Sequence, residues 1–291
     1  MIRYEYIRAN EDQGSISEMC RALGVSQSAY YSWRNAPPTK RALEDERLQT
    51  LIFATHKEHR QVYGSPRMTA ELKAQGEQVG RRRVARLMRE NRISGLQKRR
   101  WRRTTDSRHK LPVAKNLLGR NFCADAPNQV WVGDITYVWT AEGWAYVAIV
   151  IDLFSRKVVG WALRKSLSRE LAISALNKAL TMRRPPQQLV HHTDRGCQYA
   201  SRDYRRLLAS HGLIQSMSGA GNCYDNAACE SFFASLKKEL VHRESYATRT
   251  EAYDSISDYI DNFYNPIRRH SALNYRSPVE HESSSENQLA A

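Results

Sequence analysis

Three acidic residues stand where acids are costly. Asp134 lies inside VWVGDITYV, a β-branched and aromatic run in which aspartate is disfavoured by both propensity and burial. Asp194 closes the run LVHHTD, at the carboxyl end of a short strand, where open α/β sheets place their ligands. Glu230 sits in GNCYDNAACESFFASLKKEL, which begins as a loop and ends as a helix. Between the first two acids lie 59 residues and between the last two lie 35, and Lys237 follows Glu230 by seven. Positions seven apart drift only about 20° around a helix, so Glu230 and Lys237 share a side while Phe232 and Leu236 point into a core. Three converging carboxylates raise one another's pKa unless a cation holds them. Hard oxygen ligands without thiolate or clustered imidazole select magnesium or manganese, and such sites commonly hold two ions for in-line phosphoryl displacement.

The elements that must bring these acids together follow from the pattern around them. QVWVGDITYVW, WAYVAIVID and KVVGWAL read as three strands at hairpin distances, with Gly143 and Ser155 in the turns. SRELAISALNKALTMRR then reads as a helix, QLVHHTD as a strand, SRDYRRLLASHG as a helix ended by Gly212, and LIQSMS as a strand. A three-strand meander followed by alternating helices and strands predicts a mixed α/β sheet covered on both faces.

The N-terminal half is different in kind. Residues 16–34 predict a helix, a turn at Gly24 and a second helix capped by Ser26, a helix-turn-helix pattern that presents Gln27, Ser28 and Tyr31 to DNA. A longer helix is expected from about Ala42 to His59. A second unit follows, with Ser65 as cap, Pro66 in the first turn, a turn over 76–80 and a helix opened by Arg81. Arg81, Arg82, Arg83 and Arg86 on that helix are expected near phosphates. Residues 94–110 hold seven Lys or Arg and one acid with no apolar period, which predicts an arm that includes Lys98, Arg99, Arg100, Arg102 and Arg103 as phosphate contacts.

Composition agrees. The chain has 291 residues, 41% of them apolar, and a formal net charge of +15, which favours a polyanionic partner, nucleic acid first. The longest apolar run, WAYVAIVI, is far short of the roughly 20 residues needed to cross a bilayer. The N-terminus lacks the apolar core of a secretory signal, so a cytoplasmic location and no membrane partner are expected. Five cysteines form no CxxC pair, which argues against a disulfide framework or a cysteine-built zinc site, and His56 and His59 have no such pair to complete them.

WVGDITY, HHTDRGCQYAS and GNCYDNAACESFFASLKKEL resemble the three catalytic blocks of the DDE transposases of the insertion sequence 3 family, relatives of retroviral integrases that share the 35-residue gap and the basic residue seven beyond the glutamate. YNPIRRHSALNYRSPVEHE is similar to that family's C-terminal tail, and the likeness runs from about Ser15 to Glu282. It implies a ribonuclease H-like catalytic core, a mixed five-stranded sheet with helices on both faces, preceded by an all-α helix-turn-helix region. It implies that Asp134, Asp194 and Glu230 are the metal-binding catalytic triad, and that Lys237 contacts the end of the element near the scissile phosphate. The expected partners are transposon-end and target DNA, further copies of the chain in a homo-oligomer, and an upstream-frame OrfA-type protein or fusion, this chain being the second-frame OrfB-type product. The chain departs from the family at Thr193 and Cys197, where serine is usual, and at Asn274, where glycine is usual; asparagine is the next best residue for a left-handed turn. The expected segments are 1–40 and 41–97 for the two helix-turn-helix units, 98–125 for the arm, 126–245 for the catalytic core and 246–291 for the C-terminal helix and tail.

Four further residues carry competing readings. Asp152 is a rival ligand but is better read as holding the turn that follows it. His191 and His192 have no partner at metal-ligand spacing. Asn226 stands at the start of the Glu230 helix, where capping or turn formation explains it as well as DNA contact does. Two other functions use parts of this sequence: a DNA-binding regulator needs only the helix-turn-helix half, and a ribonuclease H-type nuclease needs only the core.

Overall fold

The structure, a computed structural model, describes residues 2–96, 112–119, 124–219 and 226–289. The expected phosphate contacts at Lys98, Arg99, Arg100, Arg102 and Arg103 lie outside the described residues.

Among the described residues six α-helices precede the sheet: α1 (Ile2–Ala9), α2 (Ile16–Ala22), α3 (Gln27–Arg34), α4 (Lys40–Glu58), α5 (Ser65–Ala74) and α6 (Arg81–Glu90). The first three close over a small core of Ile7, Cys20 and Tyr30. Gly24, at φ +62°, makes the turn between α2 and α3, and the Ser26 hydroxyl accepts from the Ala29 amide to cap α3. The cap expected at Ser65 falls one residue earlier: Gly64 holds the cap position and Ser65 is the first helical residue. Without a side-chain acceptor at Gly64, Pro66 sets the first turn by its fixed φ.

The sheet has five strands, β1 (Val130–Thr140), β2 (Gly143–Asp152), β3 (Val158–Arg164), β4 (Val190–Thr193) and β5 (Ile214–Met217), in the order β3-β2-β1-β4-β5. The first three are antiparallel neighbours, and β4 and β5 add in parallel to β1. Helices α7 (Arg169–Arg183), α8 (Cys197–Ala200) and α9 (Arg202–Ser210) pack on one face, where Trp131, Ala148 and Val150 meet Ala175, Leu176 and Tyr204. The other face, through Val132, Val147 and Ile149, meets α10 (Ala227–Leu236) and α11 (Arg249–Ser257). A final helix, α12 (Pro278–Leu289), ends the described chain. Strand alternation explains this division, since successive residues of β1 serve opposite cores.

Close packing on the α7 face depends on Gly160 in β3. A β-carbon there would lie 2.3 Å from the Ala175 carbonyl oxygen and 2.6 Å from the Ala179 nitrogen. Neither backbone atom can move without shifting α7. Gly160→Ala should therefore destabilise the fold by about 1–3 kcal/mol, seen as a lowered thermal midpoint, the usual range for overpacking.

Helices α4–α6 do not stand apart from the sheet. Leu48, Ile52, Met68, Leu72 and Leu87 share one contiguous apolar core with the α10 and α11 face. Polar bridges reinforce the join. Glu71 of α5 lies against His59 and Arg269, and these partners hold its carboxyl down to about 2. Asn274 adopts the left-handed conformation expected of it, at φ 51° and ψ 39°.

Candidate active site

Parallel pairing with β4 stops at Gly133, opposite Thr193. Asp134 is the next residue of β1, and Asp194 is the next residue after β4. The two aspartates thus flank the point where the sheet loses a strand. Each carboxylate is aimed by its own backbone: Asp134 Oδ1 accepts from the Ile135 amide at 2.8 Å, and Asp194 Oδ1 accepts from the Gly196 amide at 2.9 Å.

Glu230 comes to this point on the first turn of α10. Phe232, Phe233 and Leu236 are buried and fix that helix against the sheet, leaving Glu230 half-buried on another side. Asn226 sets the helix start, though not as a cap: its side chain donates across to the Gly133 carbonyl at 3.3 Å instead of bonding the helix amides. The residue beside Asp134 is thereby tied to the start of the helix that carries Glu230.

The charges of these groups act on one another. Burial pushes the Asp134 carboxyl well above its ordinary value, and the charges of Asp194 and Glu230 push it further, against the Ile135 amide and the Lys237 ammonium. Burial likewise raises Glu230. Burial lowers the Lys237 ammonium, partly offset by Asp134. Among the described residues no group of three carboxylate, imidazole or thiolate side chains is closed into a metal cage. The donor set of Asp134, Asp194 and Glu230 is oxygen only. That is the character of a site for a hard divalent cation.

Asp152 takes no part in this cluster. It pairs in register with Trp131, so it faces the α7 side of the sheet, opposite to Asp134. There it is fully buried and accepts from the Asn128 and Phe154 amides and from Trp131 Nε1, with Arg183 at 3.6 Å. Those contacts fit the structural reading. His191 and His192 are also internal: the first shares a hydrogen bond with the Tyr204 hydroxyl, and the second bonds Ser216 and Ser218. Burial pushes His191 down to about 3.

In the N-terminal half, Gln27, Ser28 and Tyr31 are exposed on α3, and Arg81 and Arg82 are exposed at the start of α6. Arg83 and Arg86 are placed differently. Arg83 bonds Asp45 and Glu44, and Arg86 bonds Asp45 and Glu90. Their charge is spent holding α6 against α4, a partnership across some 40 residues that the local sequence could not display.

With this geometry in hand, known proteins place the chain. The family described as "Integrase core domain" matches residues 124–223, with a second match at 230–285, and "HTH-like domain" matches 43–101. The transposase InsF of insertion sequence IS3A from Escherichia coli K12 is 40% identical over 284 residues, covering 97% of this chain and 99% of that protein. The chain belongs to the insertion sequence 3 family of transposases. A 31 kDa protein of insertion element IS600 from Shigella sonnei is 47% identical over 261 residues, covering 90% of the transposase described here and 96% of that protein. Among solved structures, the HTLV-2 integrase catalytic core domain in complex with magnesium aligns at a TM-score of 0.41 and 18% identity, over 55% of this transposase and 99% of that chain. The protein is an enzyme, a DDE-type transposase and polynucleotidyl transferase whose catalytic core has the integrase type of mixed sheet. No helix among the described residues is long and apolar enough to cross a membrane.

Proposed function

We propose that Asp134, Asp194 and Glu230 are the catalytic carboxylates of this transposase and that together they hold two divalent cations, magnesium or manganese. The observation that carries this reading is the convergence of three acids from the central strand β1, from the end of β4 and from α10 beside the point where β4 stops pairing with β1, where burial and mutual charge raise Asp134. Metal dependence is a property of the integrase-core transposases to which the chain belongs. Bound there, the cations supply Lewis-acid stabilisation of the attacking and leaving oxygens of an in-line displacement at phosphorus.

The chain's own residues do the rest. The carboxylates stay in place because the Ile135 and Gly196 amides orient two of them and α10 presents the third. Lys237, on the turn that continues α10, is proposed to neutralise a phosphate of the bound end. The substrates are the terminal inverted repeats of a mobile element and a target duplex, first cut and then joined through the freed 3′-hydroxyl. Gln27, Ser28, Tyr31, Arg81 and Arg82 are proposed to read or hold the repeat, with the basic arm from Lys98 along the phosphates. Two ends must be brought together, so the active form is a homo-oligomer on DNA, working with or fused to an upstream-frame product.

A pre-cut repeat end bearing a labelled 3′-hydroxyl strand tests this function against that of a nuclease on the same fold. Incubated with the protein, magnesium and a second duplex, it should yield a joined product longer than either substrate. A protein that only shortens the labelled strand is a nuclease, and the proposal fails.

A further inference from the structure

Past Gly133, β1 runs on from Asp134 to Thr140 without β4 beside it, and β2 returns along its other edge. In this hairpin Val138, Thr140 and Ala145 face inward, whereas Tyr137, Trp139 and Trp144 face out and are 40%, 59% and 45% exposed. Three large aromatic rings exposed together are unusual on a protein surface. They are also organised: Tyr137 and Trp144 stack edge to face at 5.0 Å, and Trp139 and Trp144 do so at 4.9 Å. Such T-shaped pairing leaves ring surface available to a further flat partner.

The cluster lies on the face of β1 opposite to Asp134, and Lys237 links it to the acidic cleft around the strand edge that β4 leaves open. Lys237 Nζ lies 4.5 Å from the centre of the Tyr137 ring, and the same ammonium is close enough to Asp134 to offset its charge. A path therefore leads from Asp134 through Lys237 to Tyr137, Trp144 and Trp139. On the far side of the hairpin, Arg249 donates to the Trp144 carbonyl and pairs with Glu142. A cation bordering exposed π faces matches a nucleotide, whose phosphate and base need both; a purely apolar protein partner has no use for the cation.

We propose that Tyr137, Trp139 and Trp144 form a stacking platform for nucleobases unpaired from the element end beside the scissile phosphate. The proposal rests on the functional reading above and adds a site to it: a strand entering the cleft lays its phosphate near Lys237 and its displaced base on the tryptophans. Stacking of this kind is tolerant of base identity, so the platform stabilises the opened end without reading its sequence.

The test uses the full-length chain carrying Glu230→Gln, so that binding is read without cutting. Affinity is compared for a fully paired repeat end and for one mismatched at the two base pairs adjoining the cut, and 5-iodouracil at the cut reports contact by photocrosslinking. The added pair Trp139→Ala and Trp144→Ala should weaken binding to the mismatched end about tenfold or more and abolish the crosslink, while Trp139→Phe with Trp144→Phe retains both. Both tryptophans are exposed, so the fold should survive either pair. Affinity of the alanine pair for the mismatched end equal to that of the Glu230→Gln parent, or a crosslink mapped elsewhere, overturns the platform. A change in the number of protomers on DNA with the crosslink intact also overturns it, in favour of a contact between copies. The functional reading fails separately, if the Glu230 chain binds and crosslinks but cuts no strand in magnesium.

Discussion

Glu230→Gln should all but abolish strand cleavage, lowering the rate about a hundred- to a thousandfold, while leaving binding to the element end nearly unchanged. The size follows from what the substitution removes. Glutamine keeps the volume and one carbonyl oxygen but loses the charge, and charge stabilisation in a water-poor site commonly contributes two to three orders of magnitude per group. The fold should tolerate it, because Glu230 is half-buried on a side of α10 distinct from Phe232 and Leu236, which anchor the helix. Removing a carboxylate from beside Asp134 and Asp194 also relieves repulsion, so the variant is expected to melt no lower than the parent. Gel-shift titration and single-turnover cleavage on the same labelled end check the two halves of this expectation. A variant that still nicks at the parent rate removes Glu230 from the reaction.

Glu239→Ala should cost about 3–5 kcal/mol of stability and should weaken the hold of α5 on the catalytic helix. Glu239 lies in a π-helical turn, Lys237–Val241, that continues α10, and its side chain is 5% exposed. Arg268, itself 3% exposed, grips both its oxygens at 2.6 and 2.7 Å, while the Tyr259 hydroxyl donates at 2.8 Å and Arg67 of α5 lies at 3.8 Å. Burial alone would raise the Glu239 carboxyl, but the Arg268 charge and hydrogen bonds, with Arg67 and Tyr259, outweigh it and hold the pKa below its ordinary value. With alanine, Arg268 is left charged and unpaired in the interior, and that uncompensated charge is the main source of the loss. Since the folded-state pKa is depressed, the stability from this group is present above the ordinary carboxylate range and is lost as pH falls through the folded-state value. Urea unfolding should therefore show a large parent-to-variant gap at neutral pH that narrows in acid. A gap below about 1 kcal/mol at neutral pH would mean that the pair is not what joins the two regions.

Much of the core was legible in the sequence, and the reasons are local. Asp134 stood out because an acid in a β-branched run has no local reason to be there, and the 35-residue gap to Glu230 matched a known pattern. The five strands followed from alternation and turn residues, and Asn274 from its tolerance of a left-handed backbone. What escaped was set by contacts between distant segments. Arg83 and Arg86 read as phosphate contacts because Asp45, which engages them, is some 40 residues away. Asn226 looked like a cap, and its bond to Gly133 spans 93 positions. Trp144 opens the longest apolar run of the chain, yet at the hairpin end it is exposed. Glu239 and Arg268, each unremarkable in its own segment, form a buried ion pair only once α10 and the C-terminal region pack.

Magnesium-dependent cutting of a labelled terminal repeat, with wild type and Glu230→Gln side by side and EDTA as the control, tests the catalytic assignment most directly. If the three carboxylates hold the metal, wild type cuts at the repeat boundary in magnesium or manganese and not in EDTA, and Glu230→Gln binds the repeat but leaves it intact at every metal concentration. Cutting by Glu230→Gln at the wild-type rate, or wild-type cutting that persists in EDTA, would contradict the assignment.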